Sequence, residues 1–399
     1  MHLKTIFPVI LLCLTSFGLV SCASLEIPVE PMVDATPASM QTVRPDTLPV
    51  EVRFAPRTGQ RLHGYYTWWT RGLWLQLDLS LYDKLFFFSV TPAADGSLSE
   101  RHGWPFAWEG LIERADSAQV PVIPVLALLD ESVIQPLFTD STHRENLLAS
   151  SMDLIRESGD KGPHLDFEWF SPAPDSLSEG FHTYLDSLAG RVQREVPEAA
   201  LSIFVPGLQM SGMIDVSRIP DAFREIMVQG YDIHWQTGPK AGPLAPLQGW
   251  NGADWEGIAD SMAVHGVAAD GMVMTVPYYG YEWPVEDDQP GAATKGMART
   301  VTFARVDSLS LPEMQVSARD RVEAFGIQRD ARSGSPFYAF ADSTGWWQGW
   351  FEDEVSLEAK YRFVRDRSMR RVAIFPIGYD ASRMDPLLLD TFGSHRVDQ

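Results

Sequence analysis

Apolar residues come in short runs along this chain, and the runs recur at regular intervals from about residue 60 onward. "HGYYTWW" (63–69), "KLFFFSV" (84–90), "VPVIPVLALL" (120–129) and "PHLDFEWF" (163–170) are followed by "ALSIFVPG" (200–207), "EIMVQGYDIHW" (225–235), "GMVMTVPYYGY" (271–281) and "RVAIFPIGYD" (371–380). Each is short enough for a strand. Several lack the strict alternation of a half-exposed sheet, as expected where both faces are covered. Between them lie helical patterns. Leu148, Met152 and Ile155 recur at i, i+4 and i+7 within 142–158, and Phe181, Tyr184, Leu185, Leu188 and Val192 do so within 181–196. Eight strands alternating with helices predict a parallel sheet of the α/β class, and eight units allow closure into a (β/α)8 TIM barrel.

One spacing breaks the rhythm. About 90 residues separate the seventh run from the eighth, far more than one helix needs. The stretch holds "FARVDSLSLPEMQ" and "SGSPFYAFADSTGWWQGWFED" before a helical "SLEAKYRFVRDRS". A small α+β insertion at about 285–345 is expected there, inside a barrel domain of 56–390.

The N-terminus reads differently. "MHLKTIFPVILLCLTSFGLVSC" has a Lys4 flank, an apolar run short for a membrane span, and Leu19-Val20-Ser21 before Cys22. It resembles a bacterial lipoprotein signal (1–21), which implies cleavage before Cys22, lipidation of its thiol and anchoring to a membrane at the cell envelope, outside the cytoplasm. The plainer alternative is an ordinary signal peptide with an incidental cysteine. Residues 22–55 carry Pro28, Pro31, Pro37, Pro45 and Pro49 and read as an extended tether. The second cysteine, Cys13, falls inside the signal, so the processed chain has no intrachain disulfide and no cysteine zinc site.

A net charge of −21 disfavours nucleic acid, which requires clustered Lys and Arg. The nine histidines show no metal-binding spacing, and neither a phosphate loop nor a G-x-S-x-G elbow occurs. No cofactor and no metal are expected. The chemistry concentrates in "GPHLDFEWF" (162–170). On a strand His164, Asp166 and Glu168 share one face, and two close carboxylates retain a proton near neutral pH. A solvated sheet face is the plain alternative. At the C-terminal end of a barrel strand, however, such acids are costly unless they serve a site.

These residues resemble glycoside hydrolase family 18, the chitinase-like barrels. The family's D-G-x-D-x-D-x-E aligns with Lys161-Gly162-Pro163-His164-Leu165-Asp166-Phe167-Glu168, matching the glycine and the last two acids. Gly64-Tyr65-Tyr66, Gln229-Gly230-Tyr231-Asp232, Thr275-Val276-Pro277-Tyr278-Tyr279-Gly280 and the tail around "WFEDEVSLEAKY" follow in family order. "PYYGYEW" and "PFYAFADSTGWW" bring the chain nearest the spore-cortex and cell-wall N-acetylglucosaminidase branch.

The resemblance implies a retaining, substrate-assisted hydrolysis of β-1,4-linked N-acetylglucosamine glycans, chitin oligomers or peptidoglycan, by a monomer. Glu168 would be the acid, Asp166 would hold the substrate's acetamido N–H, and Tyr231 its carbonyl oxygen. Asp232, Tyr65, Tyr279, Trp283, Phe375 and His164 would line the sugar site. Trp169 and Trp235 are further aromatic candidates, with Trp283 the preferred subsite wall. Two positions depart from the pattern. His164 replaces a carboxylate and would hydrogen-bond Asp166, or else be a satisfied core histidine; Phe375 stands where many members carry tryptophan. These departures leave room for a silent sugar-binding barrel. A hydrolase with two protein carboxylates would need a nucleophile elsewhere, with Glu282 as candidate.

Overall fold

A computed structural model describes residues 59–208, 211–306 and 316–393. The expected signal, Cys22 and the tether lie outside the described residues. Eight parallel strands form the central sheet: β1 (Arg61–Thr67), β2 (Lys84–Pro92), β3 (Val122–Leu128), β4 (His164–Phe167), β5 (Leu201–Val205), β6 (Phe223–Gln229), β7 (Met272–Pro277) and β8 (Arg371–Phe375). Each pairs with the next, and β1 pairs with both β2 and β8, so the sheet closes. This is the (β/α)8 barrel that the eight apolar runs predict. All seven residues of β3 are buried, as a strand covered by side chains inside and helices outside must be.

The helices are α1 (Glu109–Ser117), α2 (Glu131–Thr139), α3 (Ser141–Glu157), α4 (Asp175–Glu195), α5 (Trp255–Val264), α6 (Ala318–Phe325), α7 (Glu354–Asp366) and α8 (Asp385–Phe392). Asp140 starts α3 by accepting from the Thr142 and His143 amides at 2.7 and 3.2 Å. Two connections carry only 3₁₀ turns among the described residues, β1 to β2 at Trp68–Gln76 and Leu79–Leu81, and β5 to β6 at Val216–Arg218. In the first, Arg71 at φ +50° breaks any continuous helix.

The insertion is a five-stranded antiparallel sheet ordered Arg299–Thr302, Tyr279–Val285, Gly345–Trp350, Pro336–Asp342, Gln328–Arg329, with α6 packed beside it. Its first strand starts at Tyr279, so the run 271–281 is two strands rather than one. Pro277 ends the parallel ladder, and the Tyr278 amide then donates to Phe375 O at 2.9 Å.

A charged cluster fills the N-terminal end of the barrel. Glu225 on β6 lies 2.7 Å from Lys84 Nζ, 3.1 Å from Arg371 Nε and 3.4 Å from His63 Nε2. Burial works to raise the Glu225 carboxyl, but His63 and Lys84 overcome it and hold the group far below its usual range. Such a carboxylate adds stability above its unfolded pKa of about 4.3, and the contribution is lost as pH falls below that value. Glu225→Gln is expected to cost about 2–3 kcal/mol at pH 7. Denaturant titrations of both proteins across pH 3–7 should show that gap narrowing toward the acid end.

Candidate active site

Strand β4 sets the site. Its four residues are buried, and the Glu168 amide donates to Leu128 O at 3.0 Å, which fixes the backbone one residue beyond the strand. Period-two alternation then places His164, Asp166 and Glu168 on one side, from the barrel interior up to its mouth. Asp166 is 5% exposed, and its Oδ1 has no hydrogen-bond partner among the described residues. Burial pushes Asp166 up to about 7. Burial, then the charge of Asp166, then that of Asp232, lifts Glu168 well above the usual carboxylate range. The pair therefore retains a proton at neutral pH, and Glu168 is the member that keeps it.

Tyr231 and Asp232 follow β6. Gly230 permits this because a Cβ there would stand 2.5 Å from Thr275 O and 2.6 Å from Trp255 Nε1. Trp255 Nε1 also donates to Gly230 O at 2.7 Å, locking the turn. Asp232 adopts φ +58°, a conformation that aspartate tolerates better than most residues. The Tyr279 hydroxyl donates to Asp232 Oδ1 at 2.7 Å. Burial raises Asp232 to about 6, with hydrogen bonds from Tyr279 and Tyr281 opposing the rise. Tyr231 is raised by burial and then by the charges of Glu168, Tyr65, Asp166 and Asp232, which places these groups near its hydroxyl.

Phe375 closes β8. Its ring stacks on Tyr231 at 6.1 Å and meets Tyr65 and Phe88 edge-on at 5.6 and 5.5 Å. The ring is half-buried, so part of its apolar surface stays accessible beside Tyr231.

Three expectations need correction. Trp283 is fully buried and donates from Nε1 to Gln236 O at 3.2 Å, which removes it as a sugar platform. Of the other two tryptophans, Trp169 is buried and Trp235 is 49% exposed. Glu282 is also fully buried. It takes hydrogen bonds from Arg299 Nε at 2.5 Å, Arg321 Nε at 2.9 Å and the Tyr338 hydroxyl at 2.7 Å, so it is not free to attack a sugar. His164 does not bond Asp166. Its ring nitrogens meet the Tyr65 hydroxyl at 2.8 Å and Ser202 Oγ at 2.9 Å, and burial lowers it to about 3. An imidazole with that proton affinity is neutral and gives Asp166 no positive neighbour.

Ser202 and Tyr281 were missed in the sequence. Ser202 had a signal, as the lone polar residue inside "ALSIFV"; Tyr281 shares a face with Tyr279 by alternation.

The fold and site define a closed parallel barrel with a carboxylate pair at the C-terminal mouth, the end where barrels of this type carry their chemistry. The model of the family "Glycosyl hydrolases family 18" matches residues 129–380, more than half of the chain, and the chain belongs to that family. A cortical fragment-lytic enzyme of Bacillus subtilis is 23% identical over 264 residues, covering 64% of this chain and 55% of that protein. The chain spans about half the length of the curated relatives it matches. Among solved structures, the spore cortex-lytic enzyme SleL of Bacillus megaterium superposes with a TM-score of 0.65 at 19% identity, covering 85% of this chain and 75% of that one. A chitinase of Cycas revoluta in complex with (GlcNAc)3 gives 0.69 at 16% identity, covering 83% and 98%.

Proposed function

We propose that the protein hydrolyses β-1,4-linked N-acetylglucosamine glycans, chitin oligomers or peptidoglycan, with retention and with help from the substrate's own acetamido group. The observation that carries this reading is the buried Asp166 with the half-buried Glu168, holding a proton at the barrel mouth beside Tyr231 and Asp232. Family membership and relatives named for cortex lysis and chitin cleavage support the substrate class.

In this reaction Glu168 protonates the glycosidic oxygen while the acetamido carbonyl oxygen attacks the anomeric carbon. The C–O bond to the leaving sugar breaks, and an oxazolinium ion forms. Asp166, ionised, accepts the acetamido N–H and offsets the developing positive charge. The Tyr231 hydroxyl donates to the acetamido oxygen. Water then opens the ion, giving its proton to Glu168. No other protein carboxylate is needed as nucleophile, which accords with the engagement of Glu282.

The test is hydrolysis of a fluorogenic di-N-acetylchitobioside, chitin oligomers and purified peptidoglycan by the chain from residue 50 onward. The same glycosides lacking the 2-acetamido group should be cleaved at least about a hundredfold more slowly, since they lack the nucleophile. Equal rates on both would mean a protein nucleophile. Failure on every N-acetylglucosamine glycan would favour the silent sugar-binding barrel. We further propose that lipidation at Cys22 holds the enzyme at the outer membrane or cell surface, the Pro-rich segment acting as spacer. Cys22→Ser should release it into the soluble fraction.

A further inference from the structure

The chain leaves β4 along a segment with little side-chain packing to hold it. Phe170 is 59% exposed, Ser171 and Pro172 are exposed as well, and Trp169 alone of these four turns inward. Glu168 stands at the start of this segment, one residue past the end of the strand. Its reach toward a glycosidic oxygen therefore depends on how the residues after it are fixed. On the near side, its own amide is tied to Leu128 O at 3.0 Å. On the far side, the Ala173 amide donates to Ser211 O at 2.7 Å.

Between these two ties, one carboxylate takes up the backbone. Glu131 Oε1 accepts from the amides of Phe170 and Ser171, each at 2.7 Å, and Glu131 Oε2 accepts from Ser171 Oγ at 2.7 Å. Proline has no amide hydrogen, so Glu131 holds two of the three N–H groups that the stretch from Trp169 to Pro172 possesses. Hydrogen bonds to an ionised acceptor are the strong ones. Glu131 is itself well placed to act as an anchor. It is the first residue of α2, just beyond the end of β3, and Asp130 caps that helix by accepting from the Ser132 amide at 2.9 Å. The clamp thus joins the same two strand ends as the Leu128 to Glu168 bond, further along each. It works through the backbone, since the charges that act on Glu168 are those of Asp166 and Asp232.

We propose that Glu131 is a positioning residue for the hydrolysis, its carboxylate clamping the backbone of Phe170 and Ser171 and so fixing where the Glu168 side chain meets the leaving oxygen. The proposal rests on the hydrolase reading above. An acid misplaced by about 1 Å can lose about a hundredfold in rate. That loss falls on the step that needs the proton. A leaving group stable as an anion escapes it.

The experiment compares Glu131→Ala, Glu131→Gln and Ser171→Ala with the unmutated chain from residue 50 onward. The readout is kcat/KM on an N-acetylglucosamine oligomer and on a dinitrophenyl di-N-acetylchitobioside. Dinitrophenolate departs without a proton, whereas the sugar oxygen requires Glu168. Glu131→Ala is expected to lower kcat/KM about tenfold to a hundredfold on the oligomer and less than about threefold on the dinitrophenyl substrate. Glu131→Gln retains a carbonyl oxygen for the two amides and should recover most of the oligomer rate. Ser171→Ala, which loses only the hydroxyl bond, should fall between Glu131→Ala and the unmutated protein. Equal losses on both substrates, or no loss on the oligomer, would overturn the proposal.

Amide hydrogen exchange tests the clamp without turnover. In the unmutated protein the Phe170 and Ser171 amides should exchange slowly although their segment is exposed, and Glu131→Ala should make both fast. Fast exchange in the unmutated protein would overturn the proposal even if Glu131→Ala did not fold. An inert unmutated enzyme with both amides protected would instead defeat the hydrolase reading.

Discussion

Glu168→Gln should lower kcat on a fluorogenic di-N-acetylchitobioside by about 10²–10⁴-fold with little change in KM, because the variant cannot protonate the leaving oxygen. The same variant should be more stable than the parent at alkaline pH. The sign follows from the proton. Glu168 holds its proton far above the pKa of about 4.3 expected for the unfolded chain, so the native state binds more protons than the unfolded one as pH rises. Stability from this group is complete below about pH 4 and drains away at higher pH. Glutamine removes that dependence. Thermal melts at pH 8 should show a higher Tm for the variant, with the gap closing toward pH 4. A variant as active as the parent would remove Glu168 as the acid, and one that lost both activity and stability would point to a structural role instead.

The second large effect is on folding. Glu282→Ala leaves two arginines and a tyrosine hydroxyl without their acceptor inside the insertion sheet, where Arg299 also lies over Trp347 and Arg321 over Phe340. Removing one partner from a buried ion cluster costs about 3–5 kcal/mol. Urea unfolding should show a loss of that size. Because Glu282 lies on the same strand as Tyr279, activity should fall before the barrel unfolds, with fluorescence of the insertion tryptophans changing first. A Glu282→Ala protein with unchanged stability would mean that the cluster is not part of the insertion's core.

The barrel was legible because its signal is periodic: eight apolar runs and their spacing are local properties, and they predict all eight strands of the closed sheet. Asp166, Glu168, Tyr231 and Tyr279 were legible as a set, since a site built at strand ends is written as short motifs in chain order. What escaped was direction. In "PYYGYEW" Glu282 alternates to the face opposite Tyr279 and Tyr281, while Trp283 shares their face but packs edge-on against Tyr281 and donates to Gln236 O, and neither outcome can be read locally until the insertion sheet is paired. His164 escaped for a related reason. Its partners Tyr65 and Ser202 are 99 and 38 residues away in the chain, and only barrel closure brings them to its two nitrogens.

The strand Tyr279–Val285 has a consequence for anyone who would exchange the insertion between barrels. One edge of this ribbon of side chains braces Asp232, while the other carries the ion cluster on which the inserted sheet depends. A graft cut after Val285 would join a foreign module to a host strand whose Glu282 has no arginine to meet. A junction at Pro277 or Tyr278 keeps the strand with its own sheet, but it also transplants the tyrosine that braces the host's aspartate. Module and active site thus share a single heritable segment, and swapping one means re-tuning the other.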